Sequence, residues 1–267
     1  MDVIQISIEV KEELQEILIS QLEELHSNGF EQTENYLIAY FPENNFRSYE
    51  IEQLLREYTF SITTLKEQNW NQVWESNFHP VIVDRFCAVR ADFHQPVNDV
   101  VHEIIITPKM SFGTGHHATT YMMMKQMEFL DIKGKNVFDF GTGTGILAIL
   151  AEKLGAATVS AIDHDDWSIK NAMENIEKNN CSKISVHLSS KIPEQLFDVI
   201  LANINRNVIL QYLTDLKKSL QGNGRILLSG LLSTDENSIV DTCHKDLRLE
   251  KRMEKDNWIS LLFINQK

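Results

Sequence analysis

Three glycines at alternate positions, Gly141, Gly143 and Gly145, follow the apolar run Val137-Phe138-Asp139-Phe140 and lead into Ile146–Leu154, a stretch with helical spacing. A strand, a glycine-rich turn and a helix in that order let bare backbone approach a ligand closely, because no Cβ stands in the way. One helix length later, the run Val159-Ser160-Ala161-Ile162 closes on Asp163. A carboxylate at that place can accept hydrogen bonds from both hydroxyls of a ribose. A dinucleotide is the first ligand to consider, and the spacing argues against it. The pyrophosphate fingerprint G-x-G-x-x-G would put its third glycine where this chain has Ile146. Asp139, two residues before the first glycine, repels a pyrophosphate and suits a ligand carrying positive charge. S-adenosylmethionine has a sulfonium, an ammonium and a ribose, and so meets all three conditions.

Two further places carry groups that can do chemistry. Asn203 closes the apolar run Val199–Ala202. At the end of a parallel strand its side-chain oxygen and main-chain carbonyl can accept hydrogens from an amine, although asparagine there is also a common cap or turn residue. His116 and His117 lie between glycines and Thr119-Thr120, ahead of a helix starting near Tyr121. One reading has the threonines capping that helix while a histidine packs. The other has His117 receiving a proton near neutral pH. Met122, Met123 and Met124 are read as core, since consecutive positions on a helix cannot all face a partner.

The elements that must position these groups follow from periodicity. From Gly134 onward strand and helix alternate: strands over Asn136–Phe140, Thr158–Asp163, Ser185–Leu188, Asp198–Asn203 and Arg225–Gly230, with helices Gly145–Leu154, Asp166–Asn179 and Val208–Ser219 between them. Arg248–Glu254 and Trp258–Asn265, flanking Asp256-Asn257, complete the pattern as a hairpin. The expected fold is α/β: a doubly wound, mostly parallel seven-stranded Rossmann-like sheet with an antiparallel member. Gly141, Asp163 and Asn203 all fall at carboxyl ends of strands, where such sheets bind ligands. Upstream, residues 1–66 read β-α-β-β-α-β, a small ferredoxin-like α+β domain. Leu14, Ile17, Leu18, Leu22 and Leu25 mark its first helix, and a second helix spans about Phe46 to Arg56. Residues 67–80 form an aromatic linker helix (Trp70, Val73, Trp74 and Phe78, stopped by Pro80), read as a packing element or a hinge. Residues 81–267 form the main domain, and strand-like runs over Val81–Phe112 extend it at its N-terminal side.

Composition narrows the class. A chain of 267 residues, 43% hydrophobic and 24% charged, is a soluble globular protein of one large or two modest domains. No apolar run reaches the roughly 18 residues of a membrane span, and the start MDVIQISIEV has no basic leader region, so a cytoplasmic location away from membranes is expected. Cys87, Cys181 and Cys243 are far apart and lack C-x-x-C spacing, which indicates thiols without a disulfide framework and no metal site. The net charge is −13, and residues 1–66 hold thirteen Asp and Glu against Lys11, Arg47, Arg56 and Lys66, a local −9. Such a charge either serves solubility alone or supplies a field that repels nucleic acid and steers a cationic protein toward it.

These features together resemble the lysine methyltransferases that modify large-subunit ribosomal protein eleven at the stalk base, over essentially the whole length. The resemblance is carried by the N-terminal domain, the linker aromatics, SFGTGHHATT from Ser111 to Thr120, DFGTGTGILAI, the strand end AID at Asp163, the helix residues NAMEN and LANI from Leu201 to Ile204. The glycine loop alone is shared by most S-adenosylmethionine-dependent methyltransferases, whereas the FGTGxHxTT segment closely followed by it is far more specific. The resemblance implies N-methylation of lysine, with the N-terminal α-amine as a further acceptor. It implies S-adenosyl-L-methionine as cofactor, contacts at Thr120, Gly141, Gly143, Asp163 and Asn203, and a basic ribosomal protein as partner. His116 and Ala118 stand where the family has Thr and Pro, Thr142 and Thr144 where Cys and Ser are frequent, and Asn205-Arg206-Asn207 where small apolar residues are usual. A methyltransferase acting on another protein or on a nucleic-acid base is the alternative. Base chemistry needs aromatic platforms and a basic groove, whereas Asn203 is followed here by Ile204-Asn205-Arg206 and the chain is acidic. A non-catalytic binding module is disfavoured by the intact Gly141, Asp163 and Asn203.

Overall fold

The structure is a computed structural model that describes residues 2–66, 78–108 and 115–266. Trp70, Val73 and Trp74 of the expected linker helix, and most of the SFGTG segment, lie outside the described residues. The chain divides into two compact units, Met1–Phe78 and His79–Lys267.

In the first unit, β1 (Val3–Glu9), α1 (Glu12–Glu23), β2 (Gly29–Gln32), β3 (Tyr36–Pro42), α2 (Ser48–Leu54) and β4 (Thr59–Leu65) follow the expected β-α-β-β-α-β order. The sheet order is β2-β3-β1-β4, all antiparallel. Alternation decides which face is buried: Ile4, Ile6 and Ile8 of β1 and Leu37, Ala39 and Phe41 of β3 form the core with Leu18 and Leu22 of α1. The apolar stripe read for α1 needs correction. Leu14 and Ile17 are 47% and 58% exposed, while Gln15 is buried. Its Nε2 donates to the carbonyls of Val10 and Thr33 at 3.0 and 2.7 Å, so the donor end of a polar side chain is satisfied at a core position while Oε1 has no hydrogen-bond partner among the described residues. The helix ends at Glu23, before Asn28-Gly29, and the second helix is confined to Ser48–Leu54 after a 3₁₀ turn over Glu43–Asn45.

The second unit opens with a three-stranded sheet, β5 (Val81–Val83), β6 (Cys87–Ala91) and β7 (His102–Ile106), in which β6 and β7 are parallel. Helix α3 (Ala118–Met127) begins three residues earlier than Tyr121, and all three consecutive methionines are buried. Then come β8 (Asn136–Phe140), α4 (Ile146–Lys153), β9 (Thr158–Asp163), α5 (Asp166–Lys178), β10 (Ile184–Leu188), β11 (Phe197–Asn203), α6 (Arg206–Lys218), β12 (Leu220–Leu232), α7 (Glu236–Cys243), β13 (Leu247–Lys255) and β14 (Trp258–Asn265). They build a seven-stranded sheet in the order β10-β9-β8-β11-β12-β14-β13. Pairing is parallel except at β12–β14 and β13–β14. Its core is centred on Phe138 and Phe197, stacked at 4.8 Å between ring centroids, with Ile200, Leu213, Leu228 and Phe263 around them.

The strand order reverses between β8 and β11, so the helices after these strands run away from each other on opposite sides. A crevice opens at the carboxyl ends there, which is where this class of sheet takes its ligand. Helix α7 is not foreseeable from periodicity, because only Ile239 and Cys243 within it are buried.

Candidate functional site

The glycine loop takes its shape from backbone torsions that side chains resist. Gly141, Gly143 and Gly145 have φ of 76°, 55° and 79°, the left-handed region that glycine enters at little cost. The amides of Gly141 and Thr142 both donate to the Ile162 carbonyl at 2.9 Å, which ties the loop to the end of β9. Gly145 then caps α4, and a Cβ there would meet Ala172 of α5 at 3.3 Å. Gly141 faces the other wall: its Cβ would stand 2.4 Å from Ile204 Cγ2. On the far side of Ile204, a Cβ on Gly230 would lie 2.2 Å from the Ile204 carbonyl oxygen, and Gly230 has φ of 83°. The chain leaving β11 is therefore held between two glycines.

These residues border a cleft of about 600 Å³ that gathers Thr120, Gly141, Gly143, Asp163 and Asn203, the cofactor-contact positions expected from the resemblance, together with His117. Trp258, Gly230, His164 and Asn205 line it too and were not anticipated. Gly230 lies at a register irregularity within β12 and Trp258 opens β14, places where the sequence signals only punctuation, and their part in the cleft arises from long-range neighbours. A groove of about 710 Å³ beside Lys191, Pro193 and Tyr212 is larger, but neither the glycine loop nor Asp163 borders it, so size does not select the site.

Asp163 already uses both carboxylate oxygens. Oδ2 accepts from the Gly143 amide at 2.9 Å and Oδ1 from the Asp165 amide at 3.0 Å. Each oxygen keeps lone-pair capacity for one more donor, so the carboxylate is preoriented by its own loop for a pair of ligand hydroxyls. Asp165 in turn caps α5 by accepting from the Ser168 amide at 3.0 Å.

Across the cleft, Asn203 donates from Nδ2 to Thr120 Oγ1 at 3.2 Å, linking β11 to α3. Asn203 Oδ1 is buried and has no hydrogen-bond partner among the described residues. An orphaned buried acceptor costs about 1–3 kcal/mol, and it marks a place where an incoming donor is favoured. His117, not a threonine, caps α3: its Nδ1 accepts from the Thr119 amide at 3.3 Å and lies 2.7 Å from Thr119 Oγ1. The ring also meets Trp258 edge-on at 4.7 Å. His116 is exposed and faces the His79 carbonyl at 2.8 Å, away from the cleft lining.

Asp139 departs from the role its sequence position suggests. It is 1% exposed, does not border the cleft, and accepts from Thr142 Oγ1 at 2.6 Å beneath the loop. Burial pushes its carboxyl up to about 7, aided by nearby Asp163 and opposed by the Thr142 hydroxyl and the Ala148 amide. Below about pH 4 both folded and unfolded chains are protonated at this group, with no difference between them. As pH rises toward 7 the unfolded chain ionises while the folded one keeps its proton, so stability falls. Above 7 the loss is constant, at most about 4 kcal/mol for a gap of roughly three pH units. Asp139→Asn is therefore expected to raise the melting temperature at pH 8 and change it little at pH 4. Equal shifts at the two pH values in thermal denaturation would exclude a buried neutral carboxyl.

Burial likewise pushes the thiols of Cys87 and Cys243 up to about 12 and that of Cys181 to about 11, so all three stay protonated and unreactive at neutral pH. Among the described residues no group of three or more His, Cys, Asp or Glu is placed to hold a metal ion. No described helix is long and apolar enough to cross a membrane.

Comparison with known proteins identifies the family. Residues 2–266 match the family described as ribosomal protein L11 methyltransferase (PrmA). A protein of that name from Porphyromonas gingivalis is 40% identical over 261 residues, covering 93% of this chain and 90% of its own length. One from Chlorobaculum parvum is 37% identical, covering 97% of this chain and 95% of its own. The crystal structure of a ribosomal protein L11 methylase from Lactobacillus delbrueckii superposes with a TM-score of 0.66 at 30% identity, covering 71% of this chain and all of that one. The chain belongs to the ribosomal protein L11 methyltransferase family.

Proposed function

We propose that this chain methylates amine nitrogens of ribosomal protein L11, lysine side chains first and the N-terminal α-amine as a further acceptor, in the cleft between the glycine loop and Asn203. The methyl donor is S-adenosylmethionine, which supplies a methyl carbon on a positively charged sulfur that departs as a neutral thioether. The cleft fits such a donor. Asp163, held by two backbone amides, has room for two ribose hydroxyls. Gly141 and Gly143, with no Cβ, line the cleft and let the backbone approach the donor closely.

The observation that carries the acceptor assignment is the orphaned Asn203 Oδ1. A lysine at pH 7 is neutral only about once in 2,500 molecules, a barrier of roughly 4.6 kcal/mol. A cleft that excludes water and holds the donor's cation nearby lowers the amine's pKa. Asn203 Oδ1 then accepts an amine hydrogen and turns the nitrogen lone pair toward the transferred carbon, which supplies alignment. Thr120 holds the Asn203 side chain in place through Nδ2. His117 lies on the same side, its ring fixed by the cap and by Trp258, and receives the amine proton or closes the acceptor wall. Residues 1–66 act as the substrate-recognition unit, their net charge of −9 meeting a basic ribosomal protein.

Incubating the protein with labelled S-adenosylmethionine and purified L11, then mapping labelled residues by mass spectrometry, tests the assignment directly. Label on L11 amines supports it, and label found only on RNA or on other proteins sinks it. In the same assay Asp163→Ala is expected to weaken S-adenosylmethionine binding by about 2–3 kcal/mol, through loss of charged hydrogen bonds. Unchanged affinity in calorimetry would remove Asp163 from the cofactor site.

A further inference from the structure

Helix α5 and the residue that caps its C-terminus present a side-chain amide at each turn, Asn171, Asn175 and Asn179, all nine-tenths or more buried. They treat the open edge of β7 as a neighbouring strand would. Asn179 accepts from the Ile105 amide at 3.0 Å and donates to the Ile105 carbonyl at 2.6 Å. Two residues on, Asn175 Oδ1 accepts from the Thr107 amide at 2.8 Å, and Asn171 Nδ2 donates to the Thr107 carbonyl at 3.2 Å. Residues 105 and 107 are the pair whose backbone groups point outward from a strand edge. The asparagine ladder thus satisfies both, and Glu174 and Lys178 add bonds to the Thr107 hydroxyl.

Asn175 does one thing that its neighbours do not. Its Nδ2 donates to the Thr144 carbonyl at 2.8 Å, in the middle of the glycine loop. One buried amide therefore joins the loop that carries Gly143 to the strand end at Thr107. We propose that Asn175 is a positioning residue that couples cofactor binding at the Gly141–Gly145 loop to the Thr107 end of β7, so that the loop and the strand end order together. The coupling is physical because one planar amide cannot serve Thr144 and Thr107 at once unless both are in register with it. The proposal rests on the cofactor reading given above, and the test separates the two.

Amide hydrogen exchange on the wild-type protein, with and without saturating S-adenosylhomocysteine, is the first arm. Exchange at Thr107 is expected to slow at least tenfold along with the amides of residues 142–145. The second arm is calorimetry with the same ligand. Asn175→Asp keeps the acceptor for the Thr107 amide but sets an oxygen against the Thr144 carbonyl, and is expected to weaken binding about 10- to 30-fold. Asn179→Asp loses its bonds to the Ile105 and Asn175 carbonyls but leaves the Asn175 side-chain amide and the loop untouched, so it should change affinity less than threefold even where it lowers the melting temperature as much. Wild-type protein that fails to bind the ligand overturns the cofactor reading and this inference with it. Wild-type binding with unchanged exchange at Thr107, or equal losses in the two variants, overturns the inference alone.

Discussion

Gly141→Val is expected to abolish binding of S-adenosylmethionine and of its demethylated product, with the first unit still folded. Two effects act in the same direction. At φ of 76° a β-branched residue is strained, by about 1–3 kcal/mol. The new Cβ also meets Ile204 Cγ2 at 2.4 Å, well inside any contact a real Cβ makes. The Ile204 main chain is held close to Gly230, where a Cβ would stand 2.2 Å from the Ile204 carbonyl oxygen. Relief comes from the Ile204 side chain turning into the cleft it lines, which narrows the cleft, or from the loop moving, whereupon the amides of Gly141 and Thr142 lose the Ile162 carbonyl and Gly143 loses Asp163. In the second case the Asp163 carboxylate, proposed to bind the ribose, shifts together with the loop that orients it. Calorimetry checks the loss, and a pair of milder variants divides it. Gly141→Ala in an Ile204→Ala background removes the clash and leaves only the torsional strain, so it should recover part of the affinity that Gly141→Ala alone forfeits. Binding at wild-type strength by Gly141→Val would show that the loop does not contact the cofactor.

What the sequence made legible here is what depends on backbone demands and on period. The loop glycines, Asp163 and Asn203 were readable because each sits where a strand ends and a ligand crevice begins, and that geometry is local. The seven-stranded sheet followed from alternating apolar runs and helix-length gaps. Features set by contacts far along the chain were not readable. Gly230 reads as a lone glycine closing a strand until Ile204 is brought against it. Trp258 reads as a hairpin strand residue until the sheet turns its ring onto His117. Asp139 reads as a cation-binding group until the fold buries it beneath Thr142. Gln15 looks like the polar side of α1 until β3 and the turn before it bring the Thr33 carbonyl within 2.7 Å. The asparagines of α5 were visible as a motif, whereas the strand edge they complete was not, since their partners at Ile105 and Thr107 lie 64 to 74 positions away.

Removing residues 2–66 is expected to leave cofactor affinity intact and to collapse kcat/KM for the ribosomal protein. The first half follows from where the cleft is built. All of its lining residues lie between His117 and Trp258, within the second unit, and the removed segment has its own core of Ile6, Ile8, Leu18, Leu37 and Phe41. The second half follows from charge. A segment with thirteen acidic and four basic residues creates a field that raises the encounter rate with a cationic protein. Such long-range attraction is screened over a Debye length of about 8 Å at physiological ionic strength. The full-length enzyme should therefore lose kcat/KM toward the ribosomal protein as salt rises, through the association step, while its affinity for the cofactor moves little. The truncated enzyme should already be low and nearly independent of salt. If the acidic segment serves only solubility, the truncated enzyme will methylate the protein with little loss in kcat/KM and with the same salt dependence as full length. That result would take substrate recognition away from this unit and leave it to the rim of the cleft, where Asn205 and Trp258 stand.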